Sequence, residues 1–357
     1  MSNPINGAGS GLSPGTGLRI GLVGLGYWGP NLLRVLSDRS DVEIAWICDL
    51  REDRLERYSR RYPATRPTKR SSDLFEDPTV DAVLIATPVF AHFELASQSL
   101  QAGKHTFVEK PLAASTGEVD ELLALAGERG RALMCGHTFL YSPPVRAVKQ
   151  LLDGGELGEI YFVSSSRVNL GLHQPDVSVV WDLGPHDFSI LRYWLGEAPW
   201  SISATGRDSI VAGIPDVAFL ALRFRCGAVA NLEMSWLAPS KLRRTVVVGS
   251  KKMVVYEEGG HEPVRIFDHG VVYSDPETFG EYQLSYRTGD ILSPKIDGAE
   301  PLALEMDEFV RSIRRCAPPD GHVELCRDVV RMSEAADASL RDTGRPVAVM
   351  DEDLAAG

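Results

Sequence analysis

The chain has little of what marks a membrane or nucleic-acid protein. No apolar run approaches the roughly 20 residues that a membrane helix needs. Basic residues are outnumbered, 37 Lys and Arg against 49 Asp and Glu, for a net charge of −12. That balance excludes non-specific nucleic-acid binding and a basic membrane-binding surface, but leaves room for a local basic pocket. Cysteine is sparse: Cys48, Cys135, Cys226, Cys316 and Cys326 are odd in number and lack CxxC spacing. They read as buried thiols of a reducing compartment, and no metal site is expected from them. The opening MSNPINGAGSGLSPGTG has neither the basic start nor the apolar core of an export signal. Its Gly, Ser and Pro content reads as a flexible tail over residues 1–17, and the expected compartment is the cytoplasm.

What is present is the composition of an ordinary globular protein. Hydrophobic residues make up 44% and charged residues 24% of 357, enough for two domains with sizeable cores. From Leu18 to Cys135, short apolar runs alternate with amphipathic stretches. LRIGLVG, VEIAWIC, VDAVLIAT, KHTFVEK and RALMCG read as strands, each pair separated by a helical pattern. This grammar predicts a doubly wound parallel sheet covered on both faces. After Gly136 the pattern changes to successive strands with turn signals at Cys226-Gly227 and Gly249-Ser250, followed by two closing helices. The fold class expected is α/β, with a dinucleotide-binding domain over 18–138. An α+β domain with a large open, mostly antiparallel sheet follows over 139–357, for substrate binding and oligomerisation.

GLVGLGYWGPN holds a GxGxxG at Gly24, Gly26 and Gly29, with Tyr27 and Trp28 between. It follows a strand, opens a helix, and is succeeded by Asp49 at the end of the next strand, the context of a dinucleotide site. Gly24 allows the tight turn, Gly26 lets backbone approach a pyrophosphate, and Gly29 allows close helix–strand packing. Pro30 suits the first helical turn. Asp49 would accept ribose hydroxyls and repel a 2′-phosphate, favouring NAD over NADP, whereas Arg51 could pair with that phosphate. Lys110, in Glu109-Lys110-Pro111, ends a strand on the side of such a sheet where ligands bind.

The series GxGxxG, Ala86-Thr87-Pro88 followed by His92, EKP at 109–111, and Asp182 four residues before His186 resembles the Gfo/Idh/MocA oxidoreductase family over about residues 18–345. The resemblance implies a Rossmann domain joined to an α/β domain, NAD or NADP as cofactor, and redox chemistry at a hydroxyl carbon. Carried over position by position, it makes Lys110, Asp182 and His186 the catalytic set. It also places Thr87, Pro88, His92, Glu109 and Lys110 at the cofactor. The chemistry fits those residue types. A histidine of near-neutral pKa takes a hydroxyl proton, a lysine stabilises the oxygen's developing charge, and an Asp orients the imidazole.

His137, Phe139 and Tyr141 in GHTFLYSP, and Arg167, Asn169, His173 and Gln174 in SRVNLGLHQP, are candidate substrate contacts, as is His186. Arg167 best suits an anionic group, through its bidentate fork. Asp176 and Asp187 read as surface or helix-start acids. Where relatives carry an arginine before the aromatic, this chain has Leu140. Asp182 is expected to cap a helix whose first turn holds Gly184-Pro185, with His186 one turn in. A metal at Asp182 and His186 is not expected, since no third ligand converges there.

The chain resembles most those branches that act on nucleotide-linked sugars or amino sugars, where oxidation at the ring 3-position in polysaccharide or natural-product biosynthesis is the common task. A free sugar, an inositol or an aminocyclitol is the alternative substrate. A non-catalytic dinucleotide sensor on the same fold is the alternative of another class. A tightly held cofactor in a sugar-to-sugar transfer is less consistent, for want of an export signal. A homo-oligomer, dimer or tetramer through the open sheet, is expected.

Overall fold

The computed structural model describes residues 17–171, 173, 177–274 and 283–349. The tail expected over 1–17 lies outside them up to residue 16, and so does Gln174. The chain divides into two compact units. One comprises residues through Glu109 with Leu122–Met134 and Met306–Pro319; the other comprises Lys110–Glu121, Cys135–Glu305 and the chain from Asp320 on.

The first unit is built on strands β1 (Leu18–Val23), β2 (Val42–Cys48), β3 (Arg66–Thr68), β4 (Ala82–Ile85), β5 (His105–Glu109) and β6 (Leu133–Gly136). They form one sheet in the order β3-β2-β1-β4-β5-β6. Leu22 pairs in parallel register with both Ile47 and Leu84, and all three are buried. Such strands are apolar at every position because helices cover both faces. The intervening helices are α1 (Gly29–Ser37), α2 (Glu52–Arg61), α3 (Ser72–Glu76), α4 (His92–Gln101) and α5 (Thr116–Arg129). Their ends follow local chemistry. Ser115 Oγ accepts the Glu118 amide at the start of α5, and Gly103 and Gly130 take positive φ just beyond α4 and α5.

The second unit adds α6 (Pro143–Asp153), β7 (Ile160–Leu170), α7 (Val179–Leu195), β8 (Ser201–Arg207), β9 (Val217–Arg223) and β10 (Val229–Ser235). It continues through β11 (Leu237–Gly249), β12 (Met253–Glu257), β13 (Val264–Ser274) and β14 (Gln283–Leu292). Helix α8 (Pro301–Arg315), which belongs to the first unit from Met306 on, helix α9 (His322–Arg341) and the short β15 (Val347–Ala348) close the chain. The nine strands form one sheet, β14-β13-β12-β11-β7-β10-β9-β8-β15. Neighbouring strands in it are antiparallel except β7 and β10. Burial alternates along β9 and β10, as a sheet with one packed face requires. The packed face meets α7, α9 and α6 around Phe188, Trp194, Trp236 and Met332. Burying Phe188 completely contributes about 1.5–3 kcal/mol.

The start of α7 differs from expectation. Ser178, not Asp182, occupies the N-cap position; Asp182 is the fourth residue, Pro185 the seventh and His186 the eighth. Pro185 therefore stands inside the helix. Glycine at 184 makes room for the Phe188 ring one turn on, which a Cβ there would approach to 2.9 Å.

Candidate active site

In the first unit, the loop after β1 turns at Gly24, whose φ is +97°, a conformation that side-chain-bearing residues rarely adopt. A Cβ on Gly29 would lie 1.9 Å from the Gly24 carbonyl oxygen, so α1 can start this close to β1 only with glycine there. Gly26 is different. A Cβ on it would meet nothing nearer than Arg54 Nη1 at 3.9 Å, so the space before its backbone is open. The N-terminus of α1 has no side-chain cap. An open backbone at a helix N-terminus fits a pyrophosphate.

Asp49 fixes this loop. Its Oδ2 accepts the Leu25 amide at 2.8 Å, and its Oδ1 accepts the Arg51 amide at 2.9 Å. Arg54 Nη1 reaches the same carboxylate at 3.3 Å. The Arg51 guanidinium, considered for a 2′-phosphate, is exposed and paired with Asp53 at 2.7 Å. Arg54, which no motif signals, is the cation that faces the glycine loop. Tyr27 is exposed beside Trp28, edge to face. His92 is buried, and its Nε2 lies 2.9 Å from the Thr87 carbonyl, so it holds the ATP turn. Pro88 is exposed on that turn, and Glu109 is buried at the end of β5.

The second unit gathers the other candidates. Lys110 Nζ donates to the Asp182 carbonyl at 2.7 Å and lies 3.4 Å from Asp182 Oδ1. A proline within a helix clashes with the carbonyl one turn back and opens the ladder. Asp182 lies beside that gap, three residues before Pro185. Trp236, buried just after β10, donates its indole N–H to Asp182 Oδ2 at 3.1 Å. Asp182 thus holds the lysine, with Trp236 behind it; the expectation that it orients the imidazole is replaced by this arrangement. The signal for Trp236 was only that of a strand-end aromatic.

His186 stands one turn beyond Asp182 and packs edge to face on Phe139, centroids 4.9 Å apart. Burial, with the cations of Lys110, Arg167 and Arg243 and with His137 nearby, holds its imidazole well below the usual range. It is therefore neutral at physiological pH, the form a base requires.

Arg167 also stacks on Phe139, its guanidinium carbon 4.8 Å from the ring centre. It is 2% exposed, and its fork closes on Asp187 at 2.7 and 3.3 Å, with Glu258 at 3.5 Å. Ser165 Oγ also donates to Asp187. The expected outward anion contact is corrected by this: Arg167 is turned onto Asp187, and Asp187 is a buried counter-ion, not a surface acid. Removing either partner alone would strand a buried charge, at about 3–5 kcal/mol.

The remaining candidates separate. Asn169 is partly exposed on β7, and Gly171 beyond it lets Trp236 approach to 2.7 Å of where a Cβ would stand. The His173 ring lies 5.2 Å from Trp236, with Nε2 3.9 Å from Asp216 Oδ2. Tyr141 is buried with Arg146 stacked on it at 5.0 Å. His137 is 2% exposed and faces the His322 ring, so it is enclosed and not presented to a substrate. Of the cysteines, Cys48, Cys135 and Cys326 are buried thiols as expected, whereas Cys226 and Cys316 are exposed.

Comparison with known proteins agrees with both units. The family model described as "Oxidoreductase family, NAD-binding Rossmann fold" (Gfo/Idh/MocA) matches residues 18–137, and the Gfo/Idh/MocA C-terminal domain matches 145–255. Myo-inositol 2-dehydrogenase of Thermotoga maritima is 29% identical over 245 residues, 66% of this chain and 73% of that protein. The dTDP-3,4-didehydro-2,6-dideoxy-alpha-D-glucose 3-reductase of Actinomadura kijaniata is 33% identical over 52% of this chain and 53% of its own. Among solved structures, GenD2 from gentamicin A biosynthesis, in complex with NAD, superposes with a TM-score of 0.79 at 26% identity. That match covers 93% of this chain and 96% of the other.

Proposed function

The chain belongs to the Gfo/Idh/MocA family of NAD-binding oxidoreductases, and from that premise we propose that it interconverts a secondary hydroxyl and a ketone on a sugar ring, with Lys110, Asp182 and His186 as the acting residues. The single observation that carries this is the ammonium of Lys110 seated on Asp182 one helical turn from a neutral His186. Bound NAD supplies the hydride acceptor, or NADH the donor. The open backbone at Gly26, the N-terminus of α1 and Asp49 are the groups that would hold the dinucleotide.

In the oxidising direction the His186 imidazole takes the hydroxyl proton, and the Lys110 ammonium stabilises the oxygen as negative charge gathers on it. Asp182, itself held by Trp236, keeps the ammonium charged and directed. In the reducing direction His186 returns the proton. Because Arg167 is engaged by Asp187 and Glu258, it is not offered to an anionic group of the substrate.

The finer reading is a nucleotide-linked sugar or amino sugar, acted on at the ring 3-position; similarity to a dTDP-sugar 3-reductase supports it. Similarity to a myo-inositol dehydrogenase supports the second reading, a cyclitol or aminocyclitol. A panel of nucleotide sugars, free sugars and cyclitols, followed by reduced-nicotinamide absorbance with NAD and NADP, separates them. Turnover of dTDP- or UDP-linked sugars above cyclitols supports the first reading. Turnover of cyclitols alone replaces it with the second, and no turnover by any member contradicts both.

We also propose that the chain self-associates through the exposed face of its nine-stranded sheet. Phe162 and Val229 are register partners there and both are exposed, as is Phe219 on the next strand. Light scattering is expected to give a mass at least twice that of one chain. A Phe162→Glu variant is expected to return it to one.

A further inference from the structure

The second unit holds a buried group of sulfur and nitrogen donors that hydride transfer does not use. Cys135 lies on β6, and a tight turn in which the His137 amide donates to the Cys135 carbonyl at 2.9 Å brings His137 beside it. His322 and Cys326 are the first and fifth residues of α9, on one face of that helix. The ligating atoms of Cys135, His137 and Cys326 all lie within 4.8 Å of one another, and all three residues are buried. Among the described residues no other group of three such side chains is so placed.

A second observation points the same way. His137 is 2% exposed, and neither ring nitrogen has an oxygen or nitrogen hydrogen-bond partner. Leaving a polar group so buried costs about 1–3 kcal/mol. Its polar surroundings are soft ones, the two sulfurs. The His322 ring lies 6.3 Å from that of His137, and its Nε2 accepts the Cys135 amide at 2.9 Å.

We propose that Cys135, His137 and Cys326 bind a thiophilic d10 cation, zinc(II) by charge. Two thiolates and a neutral imidazole carry two negative charges, so zinc(II) leaves a buried site neutral, whereas copper(I) leaves it anionic. Binding forms two metal–sulfur bonds and one metal–nitrogen bond, releases two thiol protons to solvent and changes no oxidation state. Metal–ligand bonds of about 2.0–2.3 Å bring such ligand atoms to about 3.3–3.8 Å of one another, a contraction of roughly 1 Å from the outer limit seen. His322, whose Nε2 accepts the Cys135 amide, holds that segment in place and is not itself a ligand, so the fourth tetrahedral position falls to a water or other small ligand. The bond ties residues 135–137 to the first turns of α9. Phe139, two residues further on, packs on His186, so the metal acts on the base by positioning its neighbour.

The full chain, expressed in medium supplemented with cobalt(II) and purified under reducing conditions, tests this directly. The expected result is one cobalt per chain by elemental analysis, with sulfur-to-cobalt charge-transfer absorption that zinc(II) abolishes. Cys326→Ser and His137→Gln are each expected to lower metal affinity by about tenfold or more, with circular dichroism reporting the fold of each. Wild-type protein without stoichiometric metal from either cobalt- or zinc-supplemented medium overturns the proposal. Unchanged occupancy in His137→Gln, which keeps both sulfurs, overturns it too. Metal content is read without turnover, so its failure is distinct from any failure of the hydride-transfer reading.

Discussion

The glycine loop of the first unit and the Lys110–Asp182–His186 cluster of the second are made in opposite ways. The loop works by the absence of side chains. Gly24, Gly26 and Gly29 fall within six residues, and each is needed because backbone must turn, stay open or pack closely there. The cluster works by side chains from distant segments: Lys110 after β5, Phe139 after β6, Arg167 on β7, Asp182 and His186 on α7, and Trp236 after β10. A site made by local geometry fails when atoms are added. A site made by charges fails when one partner is removed.

The largest expected effect on cofactor binding adds an atom to the loop. Gly29→Ala places a Cβ against the Gly24 carbonyl, a contact worse than ordinary overpacking, which already costs about 1–3 kcal/mol. NAD affinity, measured by titration calorimetry, is expected to fall by about 100-fold or more. A smaller loss would mean that α1 can shift and that the loop is less constrained than the cluster.

Acid comes next. His105, on β5, is buried with Nδ1 accepting the Ala132 amide at 3.0 Å, and burial with nearby Arg131 pushes it down to about 4. The unfolded chain therefore binds more protons between pH 6.5 and 4, so stability falls as pH drops through that window. The loss is about 3 kcal/mol, and urea midpoints of wild type and His105→Gln measure it. A flat wild-type profile would deny that this unit buries a neutral histidine.

Asp49→Ala is expected to weaken NAD by about tenfold, from the loss of a charged hydrogen-bond acceptor, and NADP by less. Equal losses would mean that Asp49 acts only by holding Leu25 and Arg51. The smallest effect belongs to Trp236→Phe, which removes the donor to Asp182 Oδ2. It is expected to slow turnover by about fivefold, near 1 kcal/mol, without changing NAD affinity.

Much of the fold was legible because both sheets follow from pattern: unbroken apolar strands for the parallel one, alternation for the other. The glycine loop was legible for the same reason that it is fragile, since its constraint is local. The cluster was legible only where residues sit in ordered motifs. Arg167 and Asp187 look in sequence like a ligand contact and a surface acid, because nothing local shows that two residues 20 positions apart are buried against each other. Arg54 and Trp236 carry no motif at all. A Gly-Pro step reads as a helix start, yet α7 runs straight through it, and Ser178 two turns earlier begins the helix.

The account stands most directly on Lys110→Ala, assayed for NAD binding and for turnover of whichever ring alcohol the panel identifies. Turnover is expected to fall by about 100- to 10,000-fold while NAD affinity stays at the wild-type value, because the loop that holds the cofactor is untouched. Turnover near the wild-type rate would contradict the assignment of the acting residues. Loss of NAD binding in step with turnover would contradict the division of labour between loop and cluster.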